Sequence, residues 1–290
     1  MSYRGITGAV DVDRLTDSIA SHGEGPVWSP TWGGLRWVDM TAGDILSFAD
    51  DGSVTRTRVG TIAAALRPRR GGGAVIAVER GFLLEEPDGS TVPLPPVWSD
   101  PTVRMNEGGC APDGSFYCGS MAYDKRAGAG ALYRLAADGT VTVVLTDVTV
   151  SNGLDWSPDD NLAYYNDTDT HRVDAFSWNE DIGLHDRRSF VEIPNDGRPD
   201  GLTVDAEGGV WTALSGGGAV HRYTPDGRLD AVITLPTPKV TACAFGGDDL
   251  GTLFITTSRE GLAPGEDPLA GSLFSTRPGV TGRPVRQYAG

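Results

Sequence analysis

The chain has 290 residues, a formal net charge of -15 and 39% hydrophobic residues. This apolar content is enough for a sizeable core and argues against general disorder. Phosphate binding needs clustered Lys and Arg, so the acidic balance makes nucleic acid and anionic membrane surfaces unfavourable partners.

Turn signals recur along the chain at a nearly constant period. Six of them lie about 41–48 residues apart, and we mark them by Pro30, Gly72, Asp113, Asp159, Glu207 and Asp248. Most follow one apolar stretch and precede another, as Leu154–Trp156 and Leu162–Tyr165 do around Asp159. A fixed period of this length is typical of repeat architectures.

A second set of turns lies between the first. Its members are Asp51-Gly52, Asp88-Gly89, Asp138-Gly139, Asp181-Ile182-Gly183 and Asp226-Gly227. Asp and Gly favour tight hairpins because both tolerate positive φ. Each period therefore holds two turns and about four short strands, which is the composition of a propeller blade. The pattern predicts an all-β fold, a six-bladed β-propeller forming a single domain over residues 1–290; a sandwich or barrel rarely reaches six equal periods.

The segment Ile6 to Leu15 precedes the first repeat, and we expect it to add a strand to the last blade and so close the ring. We find no amphipathic helix of 12 or more residues in the sequence. The three cysteines, an odd and small number, do not indicate a disulfide framework, and Cys110 and Cys118 are expected to be buried free thiols. The sequence contains no stretch of 18 apolar residues that could span a membrane, and Met1 to Val10 do not have the pattern of a signal peptide. We therefore expect a cytoplasmic protein.

Three short sequence motifs, which we call strings, occupy the same position within their respective repeats. Each has an oxygen-bearing residue before Gly, or before Gly-Pro, and then an apolar strand; these residues are Glu24, Asn152 and Asp200. Each alone is also consistent with an ordinary turn. In a propeller, however, their shared place is the entry of the innermost strand, so all three can point at one spot in the central channel. Hard oxygen ligands carrying two negative charges suit Ca²⁺, Mg²⁺ or Mn²⁺.

The third repeat has a different string at this place, running from Val103 to Gly109. It contains Arg104, Asn106 and Glu107, which would reach the same channel mouth. A guanidinium beside an amide suits the hydroxyls or carboxylate of a substrate. His22, two residues before Glu24, is expected at the channel rim or behind the metal site.

With these strings in view, the chain resembles the SMP-30/gluconolactonase/luciferin-regenerating-enzyme (regucalcin) family from about Glu24 to about Phe274. The strings that carry the resemblance are Glu24-Gly25-Pro26-Val27-Trp28, Ser151-Asn152-Gly153-Leu154-Asp155-Trp156, Pro199-Asp200-Gly201-Leu202-Thr203-Val204-Asp205 and Val240-Thr241-Ala242-Cys243-Ala244-Phe245-Gly246-Gly247. The resemblance implies a six-bladed propeller that holds a metal through Glu24, Asn152 and Asp200. It also implies substrate contacts from Arg104 and Asn106.

The substrate segment departs from the family pattern. The resemblance places a further substrate-contacting acid at Asp124, where the family usually has Glu. The family usually reads Asn-Arg-Phe-Asn-Asp-Gly-Lys where this chain reads Val103-Arg104-Met105-Asn106-Glu107-Gly108-Gly109. The acid is therefore one methylene longer, Met replaces the aromatic residue, and the Lys is absent.

The function that this resemblance implies is metal-dependent opening of a sugar lactone or similar small lactone. One divalent ion, with Ca²⁺ favoured over Zn²⁺, Mn²⁺, Mg²⁺ or Fe²⁺, would polarise the carbonyl, and Asp200 would act as the base for the attacking water. The alternatives are another ester or phosphotriester hydrolase, a biosynthetic lyase or isomerase on the same scaffold, and a non-enzymic Ca²⁺-binding propeller. A small-molecule substrate and a monomer or homodimer are expected.

Overall fold

The fold is built from six four-stranded antiparallel sheets arranged as the blades of a β-propeller, as predicted. The computed structural model describes residues 11–193 and 197–290. Within these ranges, helical structure is confined to the short 3-10 helices Pro30–Trp32, Met40–Ala42 and Thr168–Thr170. None of the helices in this part of the chain has the length and apolar character needed to cross a membrane.

In blades one to five the four strands follow one another in the chain, from the innermost to the outermost. Blade one has β2 Gly23–Ser29, β3 Gly34–Asp39, β4 Asp44–Phe48 and β5 Val54–Arg58. Blade two has β6 Ala63–Pro68, β7 Ala74–Val78, β8 Gly81–Glu85 and β9 Thr91–Pro93. Blade three has β10 Val103–Cys110, β11 Phe116–Ala122, β12 Gly130–Leu135 and β13 Val141–Val148.

The second half of the ring repeats this order. Blade four has β14 Ser151–Trp156, β15 Leu162–Asp167, β16 Arg172–Asn179 and β17 Gly183–Glu192. Blade five has β18 Arg198–Val204, β19 Val210–Ser215, β20 Ala219–Tyr223 and β21 Leu229–Thr234. Blade six has β22 Val240–Gly246, β23 Thr252–Thr257, β24 Phe274–Thr276 and β1 Asp13–Arg14.

The ring is closed by the beginning of the described chain. Strand β1 pairs antiparallel with β24, with Asp13 opposite Ser275 and Arg14 opposite Phe274. The outermost strand of blade six thus comes from the other end of the sequence, as expected for the segment Ile6 to Leu15; residues 6–10 lie outside the described ranges. Because the closing strand ties the two ends of the chain together, blade six cannot separate without breaking β1 from β24.

Both predicted sets of turns occupy the predicted places. The first set joins the first and second strands of every blade, and the second set joins the third and fourth strands of blades one to five. Gly52, Gly89, Gly139 and Gly227 all have φ between 81° and 85°. That conformation is accessible to Gly and strained for most other residues, which explains the recurring Asp-Gly pairs.

Burial falls from the channel outwards. All eight residues of β10 are buried, whereas in β5 only Val54 is partly covered and the other four residues are exposed. Apolar side chains of neighbouring blades pack face to face, and one such cluster joins blades three and four around Tyr117 and Trp156. Inner strands such as β10 are therefore covered on both faces, whereas outer strands such as β5 face solvent.

The final residues of the chain cross one end of the channel. Gly282 N donates to Leu250 O at 2.8 Å, and Ala289 N donates to Gly114 O at 2.9 Å, so the segment runs from blade six to blade three. Arg283 and Arg286 line a cavity of about 80 Å³ together with Glu107. The segment therefore covers this end, and the site described next faces the opposite end.

Candidate metal and substrate site

A pocket of about 90 Å³ opens at the uncovered end of the channel. Its lining includes Glu24, Asn152 and Asp200, the three residues that the sequence pattern singled out, together with Arg104 and Asn106. All five side chains are buried, with relative exposures between 2% and 7%. The structure thus brings together in one place five residues that lie up to 176 positions apart in the sequence.

Local irregularities in the inner strands turn these side chains towards the channel. The pairing register shifts between Ser151 and Leu154 in β14 and between Pro199 and Leu202 in β18. The residues skipped include Asn152 and Asp200, each followed by Gly. Such a bulge re-aims a side chain without ending the strand. A Cβ on Gly153 would lie 2.3 Å from Leu202 N, so only Gly allows blades four and five to approach here.

Glu24 holds the same place in its blade as Asn152 and Asp200, as the repeat pattern predicts. The residues just before these three pair with Asp39, Asp167 and Leu214, and the residues four positions after them pair with Leu35, Ala163 and Val210. The irregularity of β2 only begins one residue later, between Glu24 and Val27. Glu24 is the last paired residue before the irregularity, opposite Val38. Its longer side chain brings a carboxylate oxygen to the others.

Hydrogen bonds leave the oxygen of Asn152 free to bind a cation. Asn152 Nδ2 donates to Thr168 Oγ1 at 3.0 Å, and Thr168 Oγ1 donates to Pro199 O at 2.9 Å. Across the described residues, the buried atoms Asn152 Oδ1 and Asp200 Oδ1 have no hydrogen-bond partner. Buried polar oxygens are normally satisfied, so these two atoms indicate a missing partner. An amide oxygen and carboxylates are ligands that hard cations such as Ca²⁺ prefer.

Within the described residues, no Lys or Arg forms an ion pair with the carboxylates of the site. One carboxylate oxygen from each of Glu24, Glu107 and Asp200 lies within 4.8 Å of the other two. Burial, followed by the charges of Asp200 and Glu107, raises the pKa of Glu24 well above its usual value. Burial and the charge of Glu107 likewise raise the pKa of Asp200. A bound cation would relieve both the burial cost and the mutual repulsion, so the residues present fit a divalent metal ion.

Arg104 and Asn106 form a connected pair beside the carboxylates. Arg104 Nη1 donates to Asn106 Oδ1 at 2.6 Å and to Met105 O at 3.0 Å. Asn106 Nδ2 donates to Ser151 O at 2.7 Å, which links blades three and four. The Arg104 guanidinium also lies 5.8 Å from the ring centre of Tyr123. Both side chains are thereby held in place at the mouth before any ligand arrives.

The other two predicted substrate residues have unlike surroundings. Glu107 is buried and lines the cavity at the covered end of the channel. The side chain of Asp124 is 63% exposed and pairs with Arg126 at 3.1 Å, while its neighbour Lys125 lines the mouth. Lys125 has a positive φ of 56°, and this turn of the backbone separates the two side chains. The sequence contains no signal for Lys125 because a single Lys in a loop resembles any surface residue.

His22 lies behind the site rather than at its centre. Its Nδ1 is 2.6 Å from Ser258 Oγ, and its Nε2 is 3.7 Å from Glu24 Oε1. Burial lowers the pKa of His22 to about 4, so the ring is neutral at neutral pH. A neutral ring here does not supply the positive charge that the carboxylates lack.

The three cysteines are free and buried, as expected. Burial raises the pKa of the Cys110 thiol to about 12, so the reactive thiolate is not formed at neutral pH. The cysteines therefore act as small apolar residues of the blades.

Fold and site together define a class: six-bladed β-propellers with a buried oxygen-ligand site at one end of the channel. Comparison with known proteins places the chain within that class. The sequence profile of the SMP-30/Gluconolactonase/LRE-like region matches residues 22–259, and the chain belongs to this family.

Relatives and solved structures agree with this assignment. The chain is 35% identical to the pentonolactonase XacC of Haloferax volcanii over 283 residues, covering 94% of this chain and 96% of the relative. It is 36% identical to the 6-deoxy-6-sulfogluconolactonase of Pseudomonas putida over 278 residues, covering 92% and 95%. The crystal structure of regucalcin from Agrobacterium tumefaciens, described as a calcium-binding protein, superposes with a TM-score of 0.90 at 28% identity, covering 97% and 98%.

Proposed function

We propose that the protein is a metal-dependent hydrolase that opens a sugar lactone or a similar small lactone, with Ca²⁺ as its favoured ion. The observation that carries the proposal is the convergence of the buried Glu24, Asn152 and Asp200 beside the Arg104–Asn106 pair, with Asn152 Oδ1 and Asp200 Oδ1 unpartnered within the described residues. The names of the two lactonases among the relatives support the substrate class. The calcium-binding description of the solved relative supports the ion.

Glu24, Asn152 and Asp200 would hold the ion. Bound there, a divalent cation supplies Lewis acidity towards a carbonyl oxygen and stabilises the negative charge that develops on it. The preference for Ca²⁺ over Mg²⁺ rests on the ligands, since several protein oxygens in a flexible arrangement suit the larger ion.

Asp200 is the proposed general base. Its Oδ1 is buried and has no hydrogen-bond donor in the described part of the chain. With one carboxylate oxygen on the ion, the other would accept a proton from a water molecule attacking the lactone carbonyl. A base must lie within hydrogen-bond reach of the proton that it accepts, and Asp200 lines the pocket in which the lactone would bind.

Arg104 and Asn106 are proposed to orient the substrate. They lie on the mouth side of the carboxylates, and their hydrogen bonds to Met105 O and Ser151 O keep them fixed. A fixed guanidinium can donate to ring hydroxyls, which aligns the carbonyl for attack at little entropic cost during the reaction. Substrate contact by Glu107 and by Asp124 stays a prediction, and for Asp124 it would require a substrate that extends beyond the pocket.

The test is lactone hydrolysis by metal-stripped and reloaded protein. The protein is treated with chelator and desalted, and acid release from a panel of aldonolactones is followed in a pH-stat while Ca²⁺, Mn²⁺, Zn²⁺, Mg²⁺ or Fe²⁺ is added. We expect activity to vanish with chelator and to return with Ca²⁺. The matched control is Glu86→Gln, a carboxylate of blade two that pairs with Arg69 away from the channel.

Three results would contradict the proposal. Hydrolysis that is indifferent to chelator would remove the metal from the reaction. Full activity in Asp200→Ala would remove the proposed base. Tight ion binding without turnover of any lactone would indicate a different reaction, and esters and phosphotriesters would be assayed next.

A further inference from the structure

Glu107 is a carboxylate near the channel centre whose position the proposed reaction does not explain. It follows Asn106 in the irregular part of β10, where the pairing register shifts between Met105 and Gly108. Strand β10 runs along the channel, so its earlier residues Arg104 and Asn106 line the mouth, whereas Glu107, Gly109 and Cys110 line the cavity at the covered end. The Glu107 carboxylate therefore reaches the channel centre from beneath the site.

Glu107 is poorly satisfied by the protein itself. The residue is 4% exposed, and its Oε2 has no hydrogen-bond partner in residues 11–193 and 197–290. Over the same residues, no Lys or Arg nitrogen lies within 4.0 Å of the carboxylates of Glu24, Glu107 or Asp200. Burial of a carboxylate is costly unless it gains a cation or a proton. Burial raises the pKa of Glu107 to about 7, with the nearby Arg67 opposing the rise.

The distances allow one ion to contact all three carboxylates. Two ligands of one ion can be separated by at most twice the metal–oxygen distance, which is about 4.6–5.2 Å for Ca²⁺. The oxygens of Glu24, Glu107 and Asp200 lie within 4.8 Å of one another, so a single point lies no more than about 2.8 Å from all three. Side-chain adjustments of a few tenths of an ångström would bring them to the Ca²⁺–oxygen distance.

Glycines make room for this arrangement. A Cβ added to Gly201, next to Asp200, would lie 3.1 Å from Glu107 Oε2, so the carboxylate occupies space that a side chain would otherwise fill. A Cβ on Gly108 would lie 2.1 Å from Tyr117 O, which ties the backbone beside Glu107 closely against β11. The Glu107 carboxylate is thus held against Asp200 from a rigid strand.

We propose that Glu107 is a fourth protein ligand of the channel ion, binding from the covered side. The site would then consist of three carboxylates and the amide oxygen of Asn152, with the mouth side left for substrate. Three negative ligands favour a large or highly charged cation such as Ca²⁺ or a lanthanide over Mg²⁺, because ligand charge and number set the affinity of oxygen sites. The inference uses the same ion as the proposed function, but it concerns ion binding and not the reaction.

The test measures ion binding directly. Ca²⁺ affinity is determined by calorimetry and Tb³⁺ binding by luminescence, for the wild type and for Glu107→Gln, which keeps the shape and removes the charge. We expect a loss of Ca²⁺ affinity at least as large as the roughly 10–100-fold that removal of an outer-sphere partner costs. Glu85→Gln is the matched control, since Glu85 is a half-buried glutamate of blade two that pairs with Arg36, and its affinity should equal that of the wild type.

A second variant guards against a folding defect. Glu107→Asp keeps the charge but withdraws the carboxylate by one methylene, and we expect its affinity to fall as well, with an unchanged circular dichroism spectrum. Unaltered Ca²⁺ affinity in folded Glu107→Gln would overturn the inference and would identify Glu107 as a protonated buried acid.

Lactone hydrolysis by the wild type is measured in parallel at saturating Ca²⁺, which separates the two proposals. If hydrolysis occurs while folded Glu107→Gln binds Ca²⁺ normally, only the ligand inference fails. If the variant loses affinity while the wild type hydrolyses no lactone, only the proposed function fails.

Discussion

Two aspartates five residues apart, Asp200 within β18 and Asp205 directly after it, have opposite surroundings. Asp205 is fully buried, and its Oδ2 lies 2.7 Å from Nη2 of the equally buried Arg222. It also accepts hydrogen bonds from Gly209 N and Trp211 Nε1, both at 2.8 Å. Asp200 is nearly as buried, yet its Oδ1 has no partner in the described ranges, and its acidic neighbours are Glu24 and Glu107.

The difference distinguishes a carboxylate that stabilises the fold from one that is available to bind a ligand. The Asp205–Arg222 pair is complete within the blade, so it stabilises the fold and offers nothing to a ligand. The channel carboxylates are incomplete: within the described residues no Lys or Arg nitrogen lies within 4.0 Å of them, and Glu107 Oε2 and Asp200 Oδ1 receive no hydrogen bond. Burial alone does not distinguish the two; the presence or absence of a partner does. The following experiments test that contrast.

The largest effect is expected at Asp200. In Asp200→Asn at saturating Ca²⁺, kcat for lactone hydrolysis should fall by about 10²–10⁴-fold, since a general base is lost. The stability of the metal-free protein should not decrease, because the variant removes an unbalanced charge. A pH-stat assay and thermal melts in chelator measure both quantities. Retention of more than a tenth of the wild-type rate would place the base elsewhere.

The Asp205–Arg222 pair should show the opposite behaviour. Arg222→Met leaves Asp205 buried without its cation, and the free energy of unfolding should fall by about 3–5 kcal/mol. Urea titration of the metal-free protein measures this loss. Arg126→Met is the control, since the exposed Arg126–Asp124 pair should contribute at most about 1 kcal/mol. Equal losses in the two variants would refute the contrast between buried and exposed pairs.

The pH dependence of the metal-free protein should report the unbalanced carboxylates. The pKa of Glu107 is raised by burial from 4.5 to about 7, and those of Glu24 and Asp200 are also raised. The folded state therefore binds more protons than the unfolded state, so stability is greatest at low pH and is lost as the pH rises through this range. For Glu107 the loss is on the order of 3 kcal/mol between about pH 4.5 and pH 8.

Urea titrations in chelator at pH 5, 6.5 and 8 would measure this trend. Glu107→Gln should flatten it, and saturating Ca²⁺ should reverse it, because metal binding requires deprotonated ligands. Constant stability of the metal-free wild type across this range would show that the carboxylates are already compensated.

The smallest effect is expected at Asp124. Its side chain is 63% exposed and pairs only with the half-exposed Arg126 among the ion pairs of the described chain. Asp124→Ala should change stability by less than about 0.5 kcal/mol and leave kcat/KM within about twofold. Steady-state kinetics with the best lactone measures this. A tenfold rise in KM would instead support the substrate contact predicted from the family resemblance.

Much of the fold could be predicted because turns are local. A hairpin that needs positive φ demands Gly at one place, so turn residues recur wherever the blade recurs, as Gly52, Gly89 and Gly139 do. The spacing of these turns gives the number of blades. The apolar content of each strand indicates which strands are exposed at the outer edge of a blade. Closure by Asp13–Arg14 was expected for the same reason, since the last repeat alone lacks one strand.

The site was only partly accessible to such reasoning. Asn152 and Asp200 precede Gly in strings of one pattern, and that pattern reflects a shared bulge. Glu24 was found by the same reasoning because it holds the equivalent place in β2, although it keeps a pairing with Val38 that Asn152 and Asp200 lack. Whether the Glu24 carboxylate arrives at the site depends on the length of the side chain and on the register of β2 with β3. The register cannot be read from the pattern of residues in the sequence.

The sequence by itself thus determined the repeat, the turns and the candidate oxygens, because these depend on backbone conformation and spacing along one strand. Only the tertiary structure decided which acids meet. It placed Glu107 beneath Asp200, turned Asp124 to the surface beside Lys125, and gave Asp205 the guanidinium that Asp200 lacks. The physical reason is that the partner of a buried charge comes from another strand or blade, so it is set by packing and not by neighbours in the chain.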